Sequence, residues 1–186
     1  SMIECVEISI RCNVKIGAHP SYPDRLNFGR KKMDISKPEL SYSIISQIES
    51  LESIANSYGK KINHIKAHGA LYNEMIHDLE LSELYLDTLK DYKSKYSLYV
   101  PYKSKIEKLA FKRGFDIVYE VFGDRNYNDD LSLVSRQKEN AIINDPKEVI
   151  NHLTSIINSN AVKTITGDTR EIIFDTICIH SDTNNS

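Results

Sequence analysis

The stretch SKPELSYSIISQIESLESIANSYGKKINHIKAH, Ser36 to His68, decides the fold class. Ser36 and Glu39 have the spacing of a capping box, in which the serine oxygen accepts from an early helix N–H and the glutamate reaches back to the cap. Leu40, Ile44, Ile45, Ile48, Leu51, Ile54, Ala55 and Tyr58 then recur at helical spacing. That spacing predicts an amphipathic helix over residues 38–58 with one buried face. Gly59 tolerates the left-handed conformation that ends helices. A short strand, Ile62 to His68, follows and closes on a polar residue.

The same unit recurs on both sides. Upstream, residues 2–12 read as a helix and Val14 to His19 as a short strand. A polar loop punctuated by Pro and Gly covers Pro20 to Ile35. Downstream, Asp78 opens a helix over 79–94, and residues 98–100 form a strand. A helix over 103–113 stops at Gly114, and Ile117 to Phe122 is a strand. Asp145 and Pro146 are a cap and first-turn pair for a helix over 146–159. Gly167-Asp168, after a Thr-rich turn, reads as a hairpin, and Ile172 to His180 as the last strand. Strands alternating with helices imply an α/β fold, one domain over 1–186, with a parallel sheet and helices outside. The pattern leaves an open sheet and a closed barrel equally possible.

Composition narrows the function. A net charge of -2 argues against a nucleic-acid partner, because neutralising phosphates takes a surplus of Lys and Arg. No apolar run reaches the roughly 20 residues of a membrane span, so no membrane role is expected. Cys5, Cys12 and Cys178 are odd in number and lack C-x-x-C spacing, which favours reduced, buried thiols over a disulfide frame or a zinc site. Without a recognisable export signal, the expected location is cytoplasmic. No phosphate loop of the Walker type is present, so ATP binding by this chain alone is not expected. Ser1 ahead of a helical pattern reads as a cloning scar, or as a stretch whose natural beginning lies upstream.

In parallel α/β folds, ligands bind beyond the carboxyl ends of the strands. His19, Asp24 and Arg30 follow the first strand there. Lys66, His68 and Asn73 follow the second. Glu120, Asp124, Arg125, Tyr127 and Arg136 follow the strand from Ile117, and His180 and Asp182 follow the last. Several histidines at equivalent strand ends suit proton transfer, since imidazole titrates near neutrality. Each also has a plainer role: His19 and His68 as strand caps bonded to backbone, Asp124 and Arg125 as an ion pair. Glu120 alternates with Tyr119 and Val121 and either points inward, where a carboxylate needs a partner such as Lys66 or Arg125, or sits at the strand's solvent end. His64, His77 and His152 read as surface residues. His19, His68 and His180 are also suitable metal ligand types, although no compact ligand motif accompanies them.

Five blocks carry a family resemblance: IGAHPSYPDRLNFGR (16–30), IKAHGALYN (65–73), EVFGDRNYNDDLSLVSR (120–136), AIINDP (141–146) and TICIHSDT (176–183). In content and order they resemble the LamB/YcsF family, regarded as the A component of the prokaryotic 5-oxoprolinase. Ala67, Gly123 and Ser181 stand where the family usually has Pro, Ala and Gly. The resemblance also implies that the family's first acidic strands and its final helix lie outside this stretch. It implies an irregular, roughly seven-stranded, TIM-like β/α barrel akin to polysaccharide deacetylases, incomplete here. The implied reaction is ATP-dependent hydrolysis of 5-oxoproline to glutamate with two obligatory partner subunits, B and C. The expected catalytic set is then His19, His68, Asp124, His180 and Asp182. Asp24, Arg30, Lys66, Asn73, Glu120, Arg125, Tyr127 and Arg136 would bind substrate. A stand-alone metal-dependent amidase or deacetylase using His19, His68 and His180 as ligands, and a non-catalytic binding component, are the alternatives.

Overall fold

A computed structural model describes residues 1–181 and divides the chain into two compact units. The first comprises Ser1–Tyr99 and Ser104–Ile117. Its strands β1 (Gly17–Ala18), β2 (His64–Ile65) and β3 (Ser97–Pro101) pair in parallel, with Gly17 beside His64 and His64 beside Ser97. Five helices accompany them: α1 (Met2–Arg11), α2 (Lys37–Ser57), α3 (Gly69–Glu74), α4 (Leu79–Thr88) and α5 (Lys105–Lys112). The capping box of α2 forms as expected, with Ser36 Oγ accepting from the Glu39 N–H and the Glu39 carboxylate accepting from the Ser36 N–H. Asp78 and Ser104 cap α4 and α5 through their side-chain oxygens.

One face of α2 points inward: Leu40, Ile44, Ile48 and Ala55 are buried. This helix packs on α4, and α4 packs on α5. Tyr85 and Leu86 of α4, Ile106 and Ala110 of α5, and Leu71 of α3 are buried in the same unit. Removing one such side chain, Ile44 for example, would cost about 2–5 kcal/mol. Along the strands burial alternates. Ala18, Ile65, Ala67 and Leu98 are buried, whereas Gly17, His64, Lys66, His68, Ser97 and Tyr99 are half-buried and His19 is exposed. Successive strand residues point to opposite faces, so one face of this sheet is apolar and the other is polar.

The second unit holds Val100–Lys103 and the chain from Val118 onward. Here β4 (Ile117–Phe122) pairs in parallel with the chain's last strand, Thr176–Cys178, placing Glu120 beside Thr176 and Phe122 beside Cys178. Helix α6 (Pro146–Ser159) starts at Asp145, whose carboxylate accepts from the Lys147 N–H, and ends at Asn160 in the left-handed conformation. The expected hairpin is present as antiparallel β5 (Ala161–Lys163) and β6 (Thr169–Glu171), which makes the last strand β7. Among the described residues no helix is long and apolar enough to cross a membrane.

Three expectations need correction. The strands around 14–19 and 62–68 each reduce to two ladder residues, and 69–74 forms a helix that the spacing does not predict. The cysteines are free as expected, but Cys5 and Cys12 are exposed and Cys178 is half-buried. On a ten-residue helix with a single buried residue, Val6, most side chains face solvent whatever their polarity.

Candidate functional site

In the first unit the chain leaves β1 at His19 and leaves β2 through Lys66 to His68, so both imidazoles stand beyond the carboxyl ends of adjacent strands. They meet there. Nδ1 of His68 lies 3.0 Å from Nε2 of His19, and the ring centroids are 4.8 Å apart at a steep angle. Each ring is also tied to backbone: His19 Nδ1 lies 2.8 Å from the Lys66 carbonyl, and His68 Nε2 lies 2.8 Å from the Phe28 carbonyl. The backbone bonds of a strand cap and the contact between the rings therefore occur in the same two residues.

The loop over 20–35 covers this pair. Its turn is held by Asp24, whose carboxylate accepts from the Asn27 N–H at 3.1 Å and from Asn27 Nδ2 at 2.7 Å. The Gly29 N–H closes the turn on the Asp24 carbonyl at 2.8 Å. Phe28 sets its ring edge-on to His68, and Arg30 lays its guanidinium 5.1 Å from the Phe28 centroid. Together the two histidines, Ser21, Asp24, Arg25 and Gln47 border a cleft of about 470 Å³. Pockets of this order hold small molecules. The Lys66 ammonium sits 5.8 Å from the Tyr72 ring centroid. Asn73 is exposed on α3 and does not border the cleft.

His64 shares the polar sheet face with Lys66 and His68. Its ring stacks on Tyr99, with centroids 4.0 Å apart and planes 6° from parallel. It also lies against Gly17, where a Cβ would fall 2.0 Å from Nε2. Burial, reinforced by Lys66 and Lys15, pulls its pKa down to about 4, so the ring is neutral near pH 7. The expectation of a surface residue at His64 is thus overturned. The signal for this is a period of two, which sets 64, 66 and 68 on one face.

In the second unit Asp124 is buried beneath His180. The His180 backbone N–H donates to Oδ2 at 2.9 Å, and Nδ1 lies 3.0 and 2.9 Å from the two carboxylate oxygens. Burial pushes the Asp124 carboxyl upward, but the hydrogen bonds and charge of His180 outweigh it and the net shift is down. Asp124 thus fixes the position of the His180 ring, which also stacks on Phe122. Arg125 is buried, and its guanidinium donates to the carbonyls of Ala141 (3.0 Å) and Val134 (2.6 Å). Tyr127 is buried too, and its hydroxyl accepts from the Phe122 N–H at 2.7 Å. Arg125 thus braces the loop that follows β4, and Tyr127 ties that loop to the end of β4 itself. Glu120 is buried, as the inward-pointing alternative requires, and Arg136 is half-buried in the loop. His152, expected at the surface, is half-buried against Tyr127, and its Nε2 has no hydrogen-bond partner among the described residues. Asp182 lies outside the described residues. Among those described, no group of three or more His, Cys, Asp or Glu side chains could hold a metal ion.

Parallel strands joined by helices, with histidines beyond strand carboxyl ends in each unit, define an α/β protein. Similarity to known proteins specifies the family. A family model described as LamB/YcsF matches residues 1–186. The A component of 5-oxoprolinase from Thermococcus sibiricus is 38% identical over 181 residues, 97% of this chain and 71% of that protein. Its counterpart from Acinetobacter baumannii (strain ACICU) is 37% identical over 185 residues, 100% of this chain and 73% of that one. The crystal structure of the lactam utilization protein from Thermus thermophilus matches with a TM-score of 0.87 at 30% identity, covering 96% of this chain and 72% of that one. The chain belongs to the LamB/YcsF family. The likeness to the Thermus protein also bears out the fold class expected from the sequence.

Proposed function

We propose that the chain serves as the A component of a 5-oxoprolinase, a hydrolase that opens the lactam of 5-oxoproline to L-glutamate in the cytoplasm. ATP is consumed at the level of a complex with two further subunits, B and C. The observation that carries the reading is the contact of His19 with His68 at the strand ends of a chain whose relatives are named for this activity. An unstrained five-membered lactam resists water, so hydrolysis needs both proton transfer and activation of the amide. The histidine pair supplies the first. In the second unit the Asp124–His180 pair is a base with a fixed orientation, and Arg136 is a cation suited to a carboxylate or a developing oxyanion; in the first unit Lys66 is a cation of the same kind.

Mixing the chain, in its full-length form, with the two partner subunits tests the proposal. The expected result is conversion of 5-oxoproline to glutamate with consumption of ATP, lost in His68→Ala. An inert wild-type mixture, or a His68→Ala mixture with full activity, refutes the catalytic reading.

A further inference from the structure

Most polar side chains on the border of the cleft beside His19 and His68 are committed to their own surroundings. Both carboxylate oxygens of Asp24 are taken by Asn27, one by its backbone N–H and the other by its side-chain amide. The Gln47 amide accepts from the Ser21 N–H at 3.0 Å and donates to the Ser21 carbonyl at 2.9 Å and to Ser43. The Ser21 hydroxyl donates to the Tyr22 carbonyl, and the Tyr22 hydroxyl donates to Glu74, each at 2.8 Å. Arg25 differs. It borders the cleft and is exposed, and its guanidinium makes no hydrogen bond, ion pair or ring contact among the described residues. Arg30 and Lys66, cations of the same unit, lie against the rings of Phe28 and Tyr72 and are not on the cleft border. Among the described residues the border therefore presents an uncommitted cation, while its one acid, Asp24, is already satisfied.

The backbone beneath Arg25 is fixed although its side chain is not. The Phe28 N–H donates to the Arg25 carbonyl at 3.3 Å, and the Gly29 N–H donates to the Asp24 carbonyl at 2.8 Å. Phe28 (φ 55°) and Gly29 (φ 65°) both adopt the left-handed conformation that closes this turn. Helix α3 braces it from behind. The Ala70 N–H donates to the Gly29 carbonyl at 2.9 Å, and at Gly69 a Cβ would fall 2.5 Å from that same oxygen, so only glycine permits the approach. A donor group carried on a fixed turn loses less entropy when it binds than one on a loose chain. Beside Arg25 the border is apolar, formed by Pro23 and the exposed ring of Phe28.

We infer that Arg25 binds the carboxylate of the substrate, so that the cleft selects cyclic amides that carry an acid group beside the ring nitrogen. The inference rests on the hydrolase reading above. A guanidinium offers donors in a planar fork that matches the two oxygens of a carboxylate. 5-Oxoproline carries its carboxylate on the carbon bonded to the lactam nitrogen. Anchoring that group therefore brings the amide bond into the cleft that the two histidines border, and Pro23 and Phe28 offer apolar surface to the ring carbons. Arg25 holds substrate and transition state alike, so its effect falls on KM.

Calorimetric titration of the full-length chain, without ATP or partner subunits, tests this with two ligands: 5-oxoproline, and pyrrolidinone, the same ring without its carboxylate. Wild type should bind 5-oxoproline the more tightly. Arg25→Gln should weaken that binding about 10- to 100-fold, as expected for a lost charge-assisted hydrogen bond, and leave pyrrolidinone unchanged. Arg25→Lys keeps the charge without the fork and should recover part of the loss. A wild-type chain with no preference for the carboxylate-bearing ring overturns the inference. So does an Arg25→Gln chain that keeps the preference or weakens both lactams alike. In the reconstituted complex, Arg25→Gln should raise KM for 5-oxoproline by a similar factor with kcat nearly unchanged, and a fall in kcat at unchanged KM overturns the binding role. A wild-type complex that opens no lactam defeats the hydrolase reading and leaves the titrations to judge Arg25.

Discussion

His64 is held between Gly17 and Tyr99, and the absence of a side chain at position 17 is what makes the space. A methyl group there would stand 2.0, 2.4 and 2.5 Å from three atoms of the imidazole, far inside contact distance. The ring would have to leave its stack on Tyr99 or the two strands would have to part. Forcing extra atoms into a packed position typically costs about 1–3 kcal/mol. Gly17→Ala should therefore lower the unfolding free energy measured in urea by that amount, and an unchanged value would show that His64 moves aside freely. Much of this local design can be read in the sequence. Alternation along 64, 66 and 68 places the three polar residues together, and capping spacings locate Ser36, Asp78 and Asp145. The Gly17 contact cannot be read, because it depends on which residue of a neighbouring strand comes alongside.

Among the elements, helices are more legible than strands. α2 and α6 match their expected spans to within a residue, since each has a cap, a proline in the first turn and a periodic apolar face. β1 and β2 are too short for a period of two to register, and α3 follows a strand with no cap hydrogen bond from a side chain to announce it. The loop after β4 is a different case. Its run of polar residues has the composition of a binding surface, but several of those groups satisfy backbone. Arg125 supplies two carbonyls with donors, and Tyr127 supplies the Phe122 N–H with an acceptor. Sequence shows that such residues are polar, not which partner they choose. Tyr127→Phe distinguishes the two roles. Stranding a buried N–H costs about 1–3 kcal/mol, so the unfolding free energy should drop by that much while the KM for the lactam stays put. A raised KM with unchanged stability would return Tyr127 to the substrate.

For the molecule as a whole, buried titratable groups set a stability curve with two falling limbs. On the acid side, the folded chain holds His64 well below its ordinary value of 6.5, at about 4, and burial also lowers His152. The unfolded chain therefore binds those protons first, and stability falls as pH drops from about 6.5 toward 4 before levelling. Asp124 is also depressed, so its contribution is present above the usual carboxylate range and is lost as pH falls through its folded value. On the alkaline side, burial raises the phenols of Tyr22, Tyr85 and Tyr127 above their ordinary 10.0. The folded state keeps them neutral while the unfolded state ionises, so their contribution is intact below pH 10 and is lost above it. Urea midpoints across pH should accordingly form a plateau between about pH 7 and 9 with a decline on each side. Because His64 is only partly shielded, solvent softens its share of the acid limb. His64→Gln isolates that share: the difference from wild type should change between about pH 6.5 and 4 and stay constant elsewhere. A difference that is flat through that window would mean the imidazole titrates alike in the folded and unfolded chains, and the neutral, stacked ring would be wrong.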